Sequence, residues 1–431
     1  MEIRERAADP IVERDALQRG FTPLQARIIA GRIREPAGLN CIARPLRELT
    51  PPDRLPDITK AADAIATAIT SGRPIVLCTD ADCDGSSSHF VLRTALLDHF
   101  RVPETQVIST IAHRLKDGYG INDAFADRLL ELSPSGALCI TADQGSTDET
   151  RIARMLAEKG IETVVTDHHG IPDSGIPRSA LACVNPVRKD SMFGDPYIAG
   201  CHVAWLVMCA VRQRLIASGW LPPDAPSLAR LLDVVAVGTC ADAVSLGASR
   251  NNRIILAYGV KLMNKAAPRE CWNAIRKVAG IEGAFVTRDI SHGIAPRLNA
   301  KWRMGDAMAS VDFLCSKDPV RALQYAELLD RENKARRKVQ DGMTEPGLAM
   351  GAEQVKAGRA ALCVFFPEGH SGVHGIVASR LVETYGRPVC CLSPKNGDPD
   401  VVVGSLRSVP GVNIREALAH VAAHHPDCLA H

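Results

Sequence analysis

The chain has 431 residues, 46% of them hydrophobic and only 4% aromatic, with a formal net charge of +2. That length suits two or three domains, and the apolar content is ample for real cores. A near-neutral balance excludes a whole-protein basic field, so any nucleic-acid contact has to come from local patches. No apolar run approaches the ~20 residues of a membrane span. Met1 to Asp15 is charged and lacks an apolar core of signal-peptide length. The 14 cysteines form no CxxC pair, and many sit inside apolar runs. This reads as reduced, mostly buried thiols in a cytoplasmic protein, with no membrane partner and no cysteine zinc site.

Residues 1–71 read as a helical, partly irregular N-terminal segment, closing with a helix over Ile58 to Ser71. Residues 72 to about 245 then alternate apolar runs with helical stretches. Pro74 to Cys78 empties into Thr79-Asp80-Ala81-Asp82-Cys83-Asp84-Gly85, before a helix over Ser86 to Phe100. Leu138 to Ala142 empties into Asp143-Gln144-Gly145, before a helix over Arg151 to Gly160. Glu162 to Thr166 empties into Asp167-His168-His169-Gly170, and Leu231 to Cys240 into Ala241-Asp242. Short unalternating apolar runs suit strands buried on both faces of a parallel sheet, and all four are predicted as such strands. The alternation with helices predicts an α/β fold with crossover connections. Residues 246–320 read as mainly helical. A charged helix over Ala322 to Gly342 is predicted to stop at Pro346 and Gly347. It forms a connecting segment, residues 321–355, to a smaller α/β unit over 356–431. That unit reads as a strand over Ala361 to Phe366, a helix over Gly375 to Tyr385 and a strand over Pro388 to Leu392.

Ligands of open α/β sheets bind at the carboxyl ends of the strands. Four predicted strands ending in acids or histidine would therefore meet on one rim. Carboxylates so close repel one another unless a cation neutralises them. Asp80, Asp82, Asp84, Asp143, His168 and Asp242 are mostly oxygen donors with one imidazole, a set suited to Mn2+ or Mg2+ rather than structural zinc. Such acids suit two cations sharing a bridging carboxylate, the arrangement of phosphoryl hydrolysis. His169 is then free to contact the phosphate or protonate the leaving oxygen. An Asp after a strand also serves as the N-cap of the next helix, and Asp84 is open to that reading.

The ordered set Asp80-Ala81-Asp82-Cys83-Asp84-Gly85, Asp143-Gln144-Gly145, Asp167-His168-His169 and Gly238 to Asp242 resembles the four motifs of the DHH phosphoesterase superfamily. Its RecJ branch is the most similar. His113-Arg114 with Gly118-Tyr119-Gly120, Asn185-Pro186, Pro296 to Ala300, and Glu332-Asn333 with Arg336-Arg337 carry that likeness. His370 to Arg380 and Gly404 to Ser408 resemble the superfamily's second, DHH-associated domain. The resemblance implies a DHH catalytic domain over 72–320 and a DHH-associated domain over 356–431, incomplete at its C-terminus. It implies two Mn2+ or Mg2+ ions, one on Asp82 and Asp143, the other on Asp84, Asp143, His168 and Asp242. Asp80 would support the first ion directly or through water, and His169 would face the scissile phosphate. Arg114, Ser405 and Arg407, with His370 and with Arg297 or Arg303, would receive the 5′-phosphate end. Without the resemblance, Gly404 to Ser408 reads as a plain turn.

The implied activity is 5′→3′ hydrolysis of single-stranded nucleic acid, DNA favoured, releasing 5′-mononucleotides in repair and recombination. A single-strand-binding protein is the implied partner. Two other readings compete: a phosphodiesterase acting on short oligonucleotides or cyclic dinucleotides, and a catalytically silent scaffold. Two departures from the family pattern stand out. Trp302 replaces a glycine in Asn299-Ala300-Lys301-Trp302-Arg303. The family's closing glycine-glycine-histidine motif and OB-fold are not expected in this sequence.

Overall fold

The structure is a computed structural model that describes residues 6–41, 45–113, 120–304, 308–395 and 398–425; of residues 40–41, 301–304 and 398–399 only the backbone is described. The chain divides into two compact units. The first comprises Met1–Trp302 and Asp306–Glu327, the second Arg303–Gly305 and Leu328–His431.

The first unit is built on a five-stranded sheet of β1 (Ile75–Thr79), β2 (Val107–Ile111), β3 (Leu138–Ala142), β4 (Glu162–Thr166) and β5 (Ala182–Val184), in the order β2-β1-β3-β4-β5. Every pairing is parallel. β1 and β3 are buried at every position, which is why their sequences are continuously apolar rather than alternating. The order reverses between β1 and β3, the switch point where open α/β sheets leave a crevice for ligands. A core of Val76, Cys78, Phe125, Leu129, Cys139, Ile152, Met155 and Val165 fills one side of the sheet.

The helix after β1 spans Cys83–Thr94 and continues as a wider-pitched turn over Ala95–His99. Helices Glu149–Lys159 and Ile58–Ser71 lie close to their predicted spans. The run Leu231 to Cys240 is not a strand. Leu232–Ala241 is a helix buried from Leu232 to Thr239, packed against Cys83–Thr94 and Arg250–Met263. A helix apolar all round reads like a two-sided buried strand, because neither shows a polar face.

In the second unit, a helix over Pro319–Lys356, whose first turns belong to the first unit, continues through Pro346. Proline in a helix interior costs about 3 kcal/mol. Packing offsets that cost: a Cβ on Gly347 would lie 3.1 Å from Phe366 Cζ, so the helix sits directly on the core of Met343, Leu362, Val364, Phe366, Val377 and Leu381. That core covers a sheet of β6 (Leu362–Phe365), β7 (Val389–Lys395) and β8 (Asp398–Arg407), with β6 parallel and β8 antiparallel to β7. Gly404 to Arg407 is therefore strand rather than turn. No helix among the described residues is long and apolar enough to cross a membrane.

Candidate metal centre

The parallel ladder runs one residue past each strand and ends on a polar side chain. Asp80 N donates to Ala142 O (3.2 Å), Asp143 N to Thr166 O (3.0 Å) and Asp167 N to Val184 O (3.0 Å). With the register Thr79↔Ala142↔Thr166↔Val184, Asp80, Asp143, Asp167 and Asn185 form a row across the carboxyl rim of β1, β3, β4 and β5. Asp143 takes a left-handed backbone, φ 61°, which Asp tolerates better than branched residues do.

Asp82 caps the helix after β1: its Oδ1 accepts from Asp84 N (2.9 Å) and Gly85 N (3.0 Å). The cap is thus Asp82, and Asp84 turns inward from the first helical turn, fully buried. Asp84 accepts from two backbone amides at the start of helix Gly200–Ala217, Gly200 N at 2.7 Å and Cys201 N at 3.0 Å. A helix N-terminus carries partial positive charge and favours a carboxylate there. Gly238 faces the same group, since a Cβ there would come within 2.7 Å of Asp84 Oδ1. Asp242 follows the buried helix Leu232–Ala241, so three strand ends and one helix end converge rather than four strands.

The imidazole of His168 lies among these acids. Its Nε2 is 3.1 Å from Asp143 Oδ1, 3.6 Å from Asp242 Oδ2 and 3.9 Å from Asp84 Oδ2. Ligand-type atoms group as Asp80, Asp82 and Asp143; as Asp84, His168 and Asp242; and as Asp143, His168 and His169, within 4.8 Å in each group. Asp143 Oδ1 and His168 Nε2 are buried and have no hydrogen-bond partner among the described residues. Burial, then the charges of Asp84, Asp82 and Asp80, push the Asp143 carboxyl well above the carboxylate range. Burial and Asp84 push Asp242 up to about 8. Oxygen-rich, mutually repelling and partly unpartnered, the donor set fits hard divalent cations.

Asp167 belongs to the row but not to these groups. It accepts from Ser146 N (3.0 Å), His168 N (2.7 Å) and His169 N (3.2 Å), and pairs with His169 Nδ1 at 2.8 Å. Burial opposes its ionisation, but the bond to His169 and the two histidine charges hold it below the usual carboxylate range. The same bond raises His169 to about 9 against its own desolvation. Asn185 Nδ2 closes the arrangement with bonds to His169 O and Ser146 Oγ, each 2.9 Å.

Among the predicted phosphate-contacting residues, Arg114 lies outside the described residues, as does the side chain of Arg303. Arg297 donates to Gly293 O at 2.6 Å from the helix Ala295–Met304. On that helix, Asn299 Oδ1 accepts from Cys83 N at 2.8 Å, beside Asp82. His370, Ser405 and Arg407 belong to the second unit. There the Arg407 guanidinium lies over Gly375, where a Cβ would meet Nη2 at 2.7 Å, at the start of helix His374–Tyr385. His370 Nδ1 accepts from Gly372 N at 3.1 Å. The supporting amides of Gly200 and Cys201 carry no sequence signal of their own; only the small residue Gly200 at a helix start hints at close approach.

The model of the DHH family, N-terminal domain, matches residues 74–239. The single-stranded-DNA-specific exonuclease RecJ of Escherichia coli K12 is 31% identical over 99% of this chain and 72% of its own length. The chain belongs to the RecJ family. The RecJ of Dickeya dadantii is 34% identical over 89% of this chain, which spans 66% of that relative. A RecJ crystal structure with manganese bound superposes with a TM-score of 0.70 at 30% identity, covering 85% of each chain. The Thermus thermophilus RecJ with Mn2+ gives 0.69 at 28% identity, over 86% of this chain and 50% of that one. The RecJ family fold thus accounts for both α/β units.

Proposed function

We propose that this chain hydrolyses phosphodiester bonds of single-stranded DNA from the 5′ end, with two Mn2+ or Mg2+ ions, releasing 5′-mononucleotides. The observation that carries the reading is the buried group of carboxylates around His168, with Asp143 Oδ1 and His168 Nε2, 3.1 Å apart, making no hydrogen bond among the described residues. Asp80, Asp82 and Asp143 would hold one cation, and Asp84, Asp143, His168 and Asp242 the other. Bound there, the ions supply Lewis acidity and a nucleophilic water at neutral pH.

The protein's own groups do the rest. The Gly200 and Cys201 amides fix Asp84. Asp167 orients His169 and keeps its ring protonated, so His169 contacts the scissile phosphate and donates a proton to the leaving oxygen. Arg114, Ser405 and Arg407, with His370 and with Arg297 or Arg303, would receive the 5′-phosphate, for which guanidinium groups are suited by bidentate geometry. In this reading residues 1–71 are an N-terminal helical segment, 72–320 the catalytic domain, 321–355 the connector and 356–431 the DHH-associated domain. The cytoplasm is the compartment we assign, repair and recombination the setting, and a single-strand-binding protein the partner.

The test is a Mn2+-dependent assay on single-stranded and duplex oligonucleotides labelled at either end. Mononucleotides released from the 5′ end of single strands are expected, and Asp143→Asn is expected to abolish both turnover and cation binding. Efficient cleavage of dinucleotides with none of longer strands would overturn the exonuclease reading.

A further inference from the structure

Two loops flank the carboxylate group within the first unit. Residues 192–199 lead into Gly200, and residues 243–249 leave Asp242. One buried amide ties them together: Asn252 Nδ2 donates to Tyr197 O at 2.7 Å and to Ser245 O at 3.3 Å. Beneath it, Asp195 Oδ2 accepts from Ser249 Oγ at 2.6 Å and Asn251 Nδ2 at 2.9 Å, while Tyr197 N donates to Asp195 Oδ1 at 3.2 Å. Asp195, Ser249, Asn251 and Asn252 are all buried. A buried network of this kind rigidifies the backbone it grips.

That rigid frame carries two exposed large side chains. Tyr197 is 48% exposed, and Leu246 on the other loop is 37% exposed. Tyr197 lies three residues before Gly200, so its Cα is within ~11 Å of Gly200. Gly200 is the residue whose amide holds Asp84. Among the exposed large side chains of the first unit, Tyr197 shares aromatic character with Trp220. Trp220 follows the far end of the 18-residue helix that begins at Gly200, about 27 Å away at the helical rise. Among the described residues, Tyr197 is thus the exposed large aromatic nearest in sequence to Gly200, whose amide holds Asp84.

Proteins that hold single strands without sequence preference stack bases on aromatic rings, and tyrosine does so at low entropy cost. We propose that Tyr197 is the stacking platform for a nucleobase at the strand end whose phosphodiester lies on the carboxylate group. This rests on the function proposed above. The site takes an unpaired base, which explains at the level of one ring why a duplex end would be rejected: a paired and stacked base has no free face to offer.

The experiment measures KM and kcat for Mn2+-dependent degradation of a single-stranded oligonucleotide by the wild type, Tyr197→Ala and Tyr197→Phe. It is repeated on strands carrying abasic sites in their first nucleotides. Tyr197→Ala is expected to raise KM about tenfold with kcat within about threefold, and Tyr197→Phe to restore it. On one of the abasic strands the wild type should lose the same factor and Tyr197→Ala should lose nothing further. Unchanged KM in an active Tyr197→Ala enzyme, or failure of Phe to restore it, overturns the platform and leaves the exonuclease reading standing. A wild type that does not cut single strands removes both.

Discussion

A Cβ on Gly200 would stand 2.6 Å from Oδ1 of Asp143, while the amide of the same glycine donates to Asp84 at 2.7 Å. One backbone position therefore sets two of the acids. Gly200→Ala should leave the sheet folded but displace Asp143. Mn2+ affinity measured by calorimetry is expected to fall roughly 10–100-fold, the range for groups that support metal ligands, with far-UV circular dichroism unchanged. Wild-type affinity in this variant would mean that Asp143 is not a ligand.

The raised carboxyls of Asp143 and Asp242 predict how pH and cation combine. In the metal-free fold both hold protons, Asp242 up to about 8, whereas the unfolded chain releases them near pH ~4. Their contribution to stability is present at low pH and is lost as pH rises through that window. A cation displaces the protons and replaces the lost stabilisation, so its effect grows over the same range. The rise in Tm on adding Mn2+ is expected to be small near pH ~5.5 and largest near pH ~8. An equal rise at both ends would show that the acids are not the site.

His169 and Asp167 act as a pair. With its folded value raised to about 9, His169 contributes stability that is full below ~6.5 and lost as pH climbs through 9. If the ring donates a proton in turnover, His169→Ala should lower kcat by roughly 10²–10⁴. Asp167→Asn should retain more activity but move the alkaline limb of the kcat/KM profile to lower pH. A limb that stays in place in Asp167→Asn would assign it to another group.

Arg407, lying over Gly375 at a helix start, predicts discrimination between strand ends. Arg407→Ala should raise KM for 5′-phosphorylated single strands about tenfold, as for loss of a charge-assisted bond, and leave 5′-hydroxyl strands nearly unchanged. Lysine should restore little, because it lacks the planar fork. Equal losses on both substrates would place Arg407 elsewhere on the strand.

The sequence made the rim legible because β1, β3 and β4 are buried on both faces and end abruptly in acid or histidine. Leu232–Ala241 reads as a strand because burial on every side erases the periodicity that tells a helix from a strand. Pro346 reads as a stop because its local cost is visible in sequence, whereas the contact of Gly347 with Phe366 that offsets it is not. That Asp82 rather than Asp84 is the cap is equally hidden. Either acid can cap by composition, and only the amides of Gly200 and Cys201, more than a hundred residues away, draw Asp84 inward. Tyr197 gave no signal for the same reason: its mounting comes from Asn252, on another helix.

The row of Asp80, Asp143, Asp167 and Asn185 has one more consequence. Each of its members sits one step beyond a hydrogen-bonded register, so their backbone spacing is the ~4.8 Å repeat of any sheet. Two of the four, Asp80 and Asp143, stand on neighbouring strands and fall in one group of ligand-type atoms with Asp82. The pitch of the polypeptide lattice itself therefore sets how far apart their backbones stand. Loop replacements around the rim should leave that spacing untouched.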